Sequence, residues 1–228
     1  MPTFRGVRLV SNQDAVLRNG LAAEWLMNES GSTLTDTSGN GNDGTIYGAT
    51  WYTLPSGYKV LRFDGVDDYV ESPSSTSLDM TSEFTVLSWV MLLGSSLDPV
   101  HRILRYGSQY TIGIDSDTNK IGGFVWVGTW KGSWGLSSGT VTVGVWSHVG
   151  MRFKDGKISM YLNGVEDGGE STGSPIDGAS GVLQLGQWTA SMPHRLYGLL
   201  GPTRIYRRGL QVWEIQAIMN YDKALMGV

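Results

Sequence analysis

The feature that most constrains this chain is the rhythm of its apolar residues. Short strand-like runs recur about every ten to fifteen residues, with Gly, Asn, Asp and Ser between them. They are Lys59–Phe63, Phe84–Met91, His101–Tyr106, Gln109–Ile114, Gly123–Val127, Val141–Phe153, Lys157–Leu162, Val182–Leu185 and Leu196–Tyr206. That rhythm predicts an all-β sandwich or barrel. In Phe84–Met91 both alternating sets are mostly apolar, which predicts a strand covered on both faces or lying under a loop.

Two turns are readable from their chemistry. Asp155-Gly156 and Asn163-Gly164 are the dipeptides of two-residue hairpins, in which residues tolerant of positive φ sit at the corner. Residues 145–165 therefore read as strand, tight turn, strand, tight turn. One helix is expected, near the end, with Leu210, Trp213, Ala217 and Tyr221 as its apolar stripe and Gly209 as its N-cap. There is no composition break after residue 20, so residues 1–20 read as an arm and 21–228 as one domain.

Glycine is 32 of 228 residues, but no G-X-Y period accompanies it and proline numbers only 7, which excludes collagen. A 40% hydrophobic content with 17% charged residues argues against disorder. Net charge is −4 and no basic stripe is present, so no nucleic-acid partner is expected. No apolar run is long enough for membrane insertion. The absence of cysteine removes disulfides, thiolate metal sites and a Cys nucleophile. The segment MPTFRGVRLVSNQD has no apolar core of a signal peptide, so either a signal was removed or the protein is made and used without Sec export.

Four segments, in order, carry a resemblance. They are Leu21–Trp25 followed by Asp36–Thr45; Leu61–Val70, with its Phe63-Asp64-Gly65 turn; Val145–Val149 with Met160–Gly164; and Leu196–Gly198 with Arg204–Leu210 and Glu214-Ile215. Together they resemble the laminin-G-like branch of the concanavalin A-like lectin/glucanase superfamily over residues 20–222. The resemblance implies a jelly-roll sandwich of two antiparallel sheets with a short C-terminal helix. It implies no single activity, because such folds serve sugar binding, adhesion, polysaccharide cleavage and surface structure alike.

Hydrolases of that superfamily carry Glu-x-Asp-x-x-Glu on a strand, where alternation sets the carboxylates on one face. No such run exists here. The nearest, Glu166-Asp167-Gly168-Gly169-Glu170, reads as a glycine-rich solvated loop unable to hold two carboxylates at a fixed distance. His148 reads as structural, hydrogen-bonded across a sheet. His101 and His194 each neighbour an arginine, without a serine elbow or spaced carboxylate. No enzyme is expected, and no catalytic residue is assigned.

Asp36, Asn40, Asn42, Asp43 and Asp64 offer hard oxygen atoms of the kind Ca²⁺ takes. The resemblance implies a structural Ca²⁺ held by Asp36, Asn40, Asn42 and Asp64. The same residues are also turn formers whose side chains bond nearby backbone, and Gly201-Pro202 stands where relatives often place a further Asp.

Tryptophan numbers 9. Trp126, Trp130 and Trp134 are spaced by four, and the last two fall in what reads as a Gly/Ser/Lys loop; Trp188 lies in another. An indole can stack on the apolar face of a sugar ring, so Trp130, Trp134 and Trp188 are the candidate ligand-binding residues; a protein interface or loop packing uses the same residue type. Trp25, Trp89 and Trp146 read as core. The expected function is glycan binding or adhesion by a non-catalytic, lectin-like protein, extracellular or on a virion surface. Its partners would be a glycan or neighbouring subunits, with assembly through residues 1–20. The alternative is a secreted carbohydrate-binding module of a polysaccharide-degrading system.

Overall fold

A computed structural model of the chain describes residues 18–95, 98–173, 176–178, 180–188 and 194–228. In chain order the strands are β1 (Leu21–Trp25), β2 (Thr33–Leu34), β3 (Gly44–Tyr47), β4 (Thr50–Thr53), β5 (Lys59–Asp64), β6 (Tyr69–Ser72), β7 (Phe84–Leu92) and β8 (Val100–Tyr106). There follow β9 (Tyr110–Asp115), β10 (Ile121–Trp126), β11 (Trp130–Ser133), β12 (Ser147–Lys154), β13 (Lys157–Leu162), β14 (Val165–Ser171), β15 (Leu183–Leu185), β16 (Tyr197–Tyr206) and the helix α1 (Val212–Met226). They form two antiparallel sheets. One runs β14-β13-β12-β7-β16-β5-β4, with β1 paired to β16; the other runs β11-β10-β9-β8-β15-β6-β3-β2. The sandwich and its late helix are those that the sequence leads one to expect.

Alternation places one side of each sheet in the shared interior. Phe84 of β7 meets Tyr110 of β9 at 4.6 Å between ring centroids and Phe153 of β12 at 6.0 Å. A second apolar layer lies between the outer face of the first sheet and α1, and includes Leu87, Tyr161, Tyr206, Leu210, Ile215 and Ile218. The strand β7 is thus covered twice, which explains why both of its alternating sets are apolar. Burying Ile215 and Ile218 supplies about 1.5–3 kcal/mol each.

Both predicted hairpins close as expected. Asp155 and Gly156 take φ of 51° and 67°, and Asn163 and Gly164 take 49° and 77°. Positive φ at both corner positions matches the turn to the right-handed twist of the flanking strands. The run 141–153 is shortened to β12, because Gly144 turns left-handed at φ 77° and leaves Val143 and Val145 exposed.

Other expectations are corrected. The segment 166–170 is not a loop but part of the edge strand β14, paired to β13 with a bulge near its glycines. Trp130 opens a strand, β11, rather than lying in a loop. The helix buries a different face: Glu214, Ile215, Ile218, Asp222 and Met226 are buried, while Trp213 is 58% exposed. Ion pairs set this rotation. Arg204 of β16 pairs with Asp222, and Arg208 clamps Glu214 through both carboxylate oxygens at 2.8 and 2.9 Å. The N-cap is Gln211, not Gly209, and its N–H donates to the Glu214 carboxylate at 2.8 Å.

Residues 1–17 of the expected arm lie outside the described residues. The last part of it joins the sandwich: Arg18 donates to the Thr37 carbonyl, and Arg208 donates to the Asn19 carbonyl at 2.7 Å.

Candidate functional site

The second sheet presents an aromatic face on the side away from the core. Alternation along β10 sends Val125 inward and Phe124 and Trp126 outward, and β11 sets Trp130 directly across from Trp126. Their rings meet edge-on at 5.4 Å. Phe124 meets Trp134 edge-on at 4.8 Å, and Trp130 lies 6.1 Å from Trp188. Trp188 in turn meets His194 edge-on at 5.8 Å. The three tryptophans singled out from the sequence therefore come together, although more than fifty residues separate Trp134 from Trp188. All three are half-buried.

What joins Trp134 to Trp188 is an arginine. Arg102, on β8, is fully buried, and its guanidinium lies 4.4 Å from the Trp134 ring centroid and 4.2 Å from that of Trp188. Cation–π attraction favours this stack, the more so because water is excluded. Arg102 donates to the Thr111 hydroxyl at 2.5 Å and faces Nδ1 of His194 at 3.0 Å. An arginine only donates, so Nδ1 of His194 is the acceptor and the proton of the neutral ring sits on Nε2. Burial, and then the neighbouring Arg102, lower the pKa of His194 and favour that neutral form. Burial also pulls Arg102 well below the usual arginine range, with the positive charge of Arg105 adding to the effect. Arg105 lies at the edge of the same cluster, 5.6 Å from the Trp188 centroid, and donates to the Trp188 carbonyl at 3.3 Å.

Two glycines make room for Trp134. Arg102 pairs in register with Gly113 of β9, and a Cβ there would stand 3.4 Å from the Trp134 ring and 2.9 Å from the His101 carbonyl. At Gly122 a Cβ would come within 2.6 Å of the Trp134 Cα.

The predicted Ca²⁺ ligands do not form one set. The Asp36 carboxylate accepts four hydrogen bonds, from the backbone of Glu24, Ser38 and Asn42 and from the Ser38 hydroxyl, at 2.8–2.9 Å. Asn40 and Asn42 both donate to the Ala22 carbonyl at 2.9 Å. These three side chains staple the 36–42 loop to β1. Asp64 belongs elsewhere: with Asp67 and Asp68 it forms a trio whose carboxylate oxygens lie within 4.8 Å of one another. Burial raises the pKa of Asp68, whose carboxylate also accepts the Asp64 N–H at 2.8 Å. Such a trio can bind a metal ion. Ca²⁺ takes about six to eight oxygens, so carbonyls or water would have to complete the shell.

The carboxylate pair on β14 is committed to structure at one end. Glu166 accepts from Arg152 at 3.2 Å, Lys157 at 3.0 Å and Tyr161 at 3.1 Å. Its pKa is lowered: burial opposes the shift, and these donors outweigh it. His148 is buried as expected, but among the described residues neither ring nitrogen has a hydrogen-bond partner; the ring packs 5.4 Å from that of Trp89. The cross-sheet bond at this point comes instead from the His148 backbone N–H, to the Asn163 side chain at 2.9 Å. His101 is likewise buried on β8.

The model of the concanavalin A-like lectin/glucanases superfamily, in its laminin G form, matches residues 64–216. The chain belongs to this superfamily. No curated protein sequence matches it significantly. Among solved structures, domain 4 of an extracellular arabinanase from Geobacillus stearothermophilus, in complex with arabinotriose, superposes with a TM-score of 0.70 at 19% identity, covering 89% of this chain and 99% of that one. The binding domain of Paraclostridial Mosquitocidal Protein 1 gives 0.68 at 13%, covering 90% and 53%, and the receptor-binding domain of botulinum neurotoxin mosaic serotype C/D gives 0.69 at 13%, covering 89% and 51%. The chain thus spans about half the length of the two toxin domains.

Within this superfamily fold, the first and last of the segments that carried the resemblance are joined to each other. Trp25 Nε1 donates to the Asn42 carbonyl at 3.0 Å, and Glu24 pairs with Arg204 at 2.8 Å, tying the first segment to the last. The residues that sequence reasoning missed are Arg102, Phe124 and His194. Phe124 was available from alternation, two positions before Trp126. Arg102 gave no signal, because nothing along the chain shows what faces it.

Proposed function

We propose that this chain is a non-catalytic glycan-binding module acting outside the cell, with the aromatic face of β8–β11 and Trp188 as its ligand surface. One observation carries the reading. Tryptophans from separate segments converge on a single half-exposed face of a sheet and are held there by a buried arginine, which is the preorganisation that a binding surface needs. Indole faces take the apolar side of a sugar ring, and His194 Nε2 offers a polar donor beside them. The arabinanase domain of similar fold was solved with arabinotriose, so arabino-oligosaccharides belong in the first panel. Among the described residues no helix is long and apolar enough to cross a membrane. The virion placement finds no support in these comparisons.

The test is a glycan array probed with the wild-type chain and with Trp130→Ala, whose ring meets those of Phe124, Trp126 and Trp188. Binding that falls at least tenfold in the variant, with the melting temperature little changed, supports the reading. Binding that survives the substitution moves the ligand surface elsewhere.

A further inference from the structure

Among the described residues, the buried charge at the centre of this face has no counterion. Arg102 is fully buried, its Nε has no acceptor, and its partners are a hydroxyl, a neutral imidazole and two indoles. The Nε of Arg105 is buried without an acceptor too. Among the described residues no carboxylate forms an ion pair with either arginine. Elsewhere the same protein does compensate its buried guanidinium, since Arg204 meets both Glu24 and Asp222. An uncompensated buried cation is costly, and it leaves a positive potential that emerges through a thin aromatic layer of low dielectric. The overall charge of −4 makes this face a local exception.

We infer that the aromatic face selects saccharides carrying an oxyanion, with Arg105 meeting the anionic group at the rim and the Arg102–Trp134–Trp188 stack supplying field and ring contact behind it. The inference rests on the glycan-binding reading and adds the chemical class of the ligand. A uronate carboxylate and a sulfate ester present the same acceptor oxygens, so the class is defined by the oxyanion and not by one sugar.

The experiment uses matched pairs. Uronate-containing oligosaccharides are compared with their carboxyl-reduced counterparts, and sulfated ones with their desulfated counterparts, by array and then by calorimetry at low and at 0.5 M salt (about a threefold shorter screening length than at 0.05 M). The expected result is an acidic member bound about tenfold or more tightly than its neutral twin. That preference should shrink in high salt and in Arg105→Gln, while in high salt neutral affinity stays constant. Which kind of pair shows the preference separates carboxylate from sulfate. Equal binding of acidic and neutral members, or a preference for the neutral ones, overturns the inference and leaves the glycan reading standing. Binding of no saccharide in any pair overturns the glycan reading itself, and this inference with it. The salt series on the wild-type chain keeps the test decisive if Arg105→Gln does not fold.

Discussion

Arg204, on the last strand, is ion-paired with Asp222 on α1, and both side chains are 1% exposed. Burial alone would lower the pKa of Arg204, but Asp222, Tyr206 and Glu24 outweigh it and hold the guanidinium charged above its usual range. This contact locks the helix to the sheet and fixes which side of α1 is buried. Removing one partner strands the other charge. Asp222→Ala should cost about 3–5 kcal/mol in urea unfolding, whereas replacing Arg204 together with both of its carboxylate partners, Asp222 and Glu24, by apolar residues of similar size should cost much less. A loss under 1 kcal/mol in the single variant would show that the pair does not carry this joint.

His148 makes the fold acid-sensitive. Burial first, and then the positive Arg204, lower its pKa from 6.5 to about 3; burial also lowers that of His101 to about 4, with Asp98 opposing. Both are neutral in the native state at pH 7. Below about pH 6.5 the unfolded chain binds protons that the folded chain refuses, so stability falls as pH falls, until the folded pKa values are reached. Each histidine contributes a slope of up to about 1.4 kcal/mol per pH unit between 6.5 and its folded pKa. His148→Phe removes a ring whose nitrogens are unsatisfied in the folded state. Unfolding curves from pH 7 to pH 4 should be visibly flatter in that variant, and curves parallel to wild type would refute the assignment.

The two sheets could be read along the chain because their signals are local. Asn163-Gly164 and Asp155-Gly156 fix their turns by their own φ preferences, and β13 occupies the range that alternation gives it. The helix face could not be read this way. A count of apolar residues selects Trp213 and Tyr221, but the buried side contains Glu214 and Asp222, chosen by Arg208 in the turn before the helix and Arg204 on β16. The strand β14 was hidden for a related reason: its Gly-rich, acidic sequence has little strand propensity and is held by pairing with β13. In the candidate site each tryptophan stood out singly. Their convergence depends on Arg102, which becomes informative only once Trp134 and Trp188 are placed on either side of it.

Asp36 distinguishes a staple from a metal ligand. Its four accepted hydrogen bonds leave Glu24, Ser38 and Asn42 with unpaired donors if the carboxylate is removed. Asp36→Ala should therefore lose about 2–4 kcal/mol, and the loss should be the same in millimolar Ca²⁺ and in EDTA. A penalty that appears only with Ca²⁺ present would make Asp36 a ligand after all. Asp68→Asn, in the Asp64/Asp67/Asp68 trio, is the matching probe: any Ca²⁺-dependent rise in melting temperature should disappear in this variant.

Gly113 tests whether the aromatic face depends on its backing. A Cβ at this position would lie 2.8 Å from Val100 Cγ1 and 2.9 Å from the His101 carbonyl, with the Trp134 ring at 3.4 Å on the outer side. The carbonyl belongs to the sheet and cannot retreat, and Val100 lies on the same strand, so β8 must shift. Overpacking of this kind costs about 1–3 kcal/mol. A shift of β8 also moves Arg102 against the Trp134 ring and loosens their stack. Gly113→Ala should thus leave a folded protein of reduced stability, with tryptophan fluorescence shifted to longer wavelength and ligand affinity weakened more than stability alone would explain. Gly123→Ala is the control. Its Cβ would point inward, toward Met151 Sδ at 2.6 Å and the Thr111 carbonyl at 2.5 Å, so it should lower stability without changing the fluorescence of the face. If both variants altered the fluorescence alike, the link from Gly113 to the seating of Trp134 would fail.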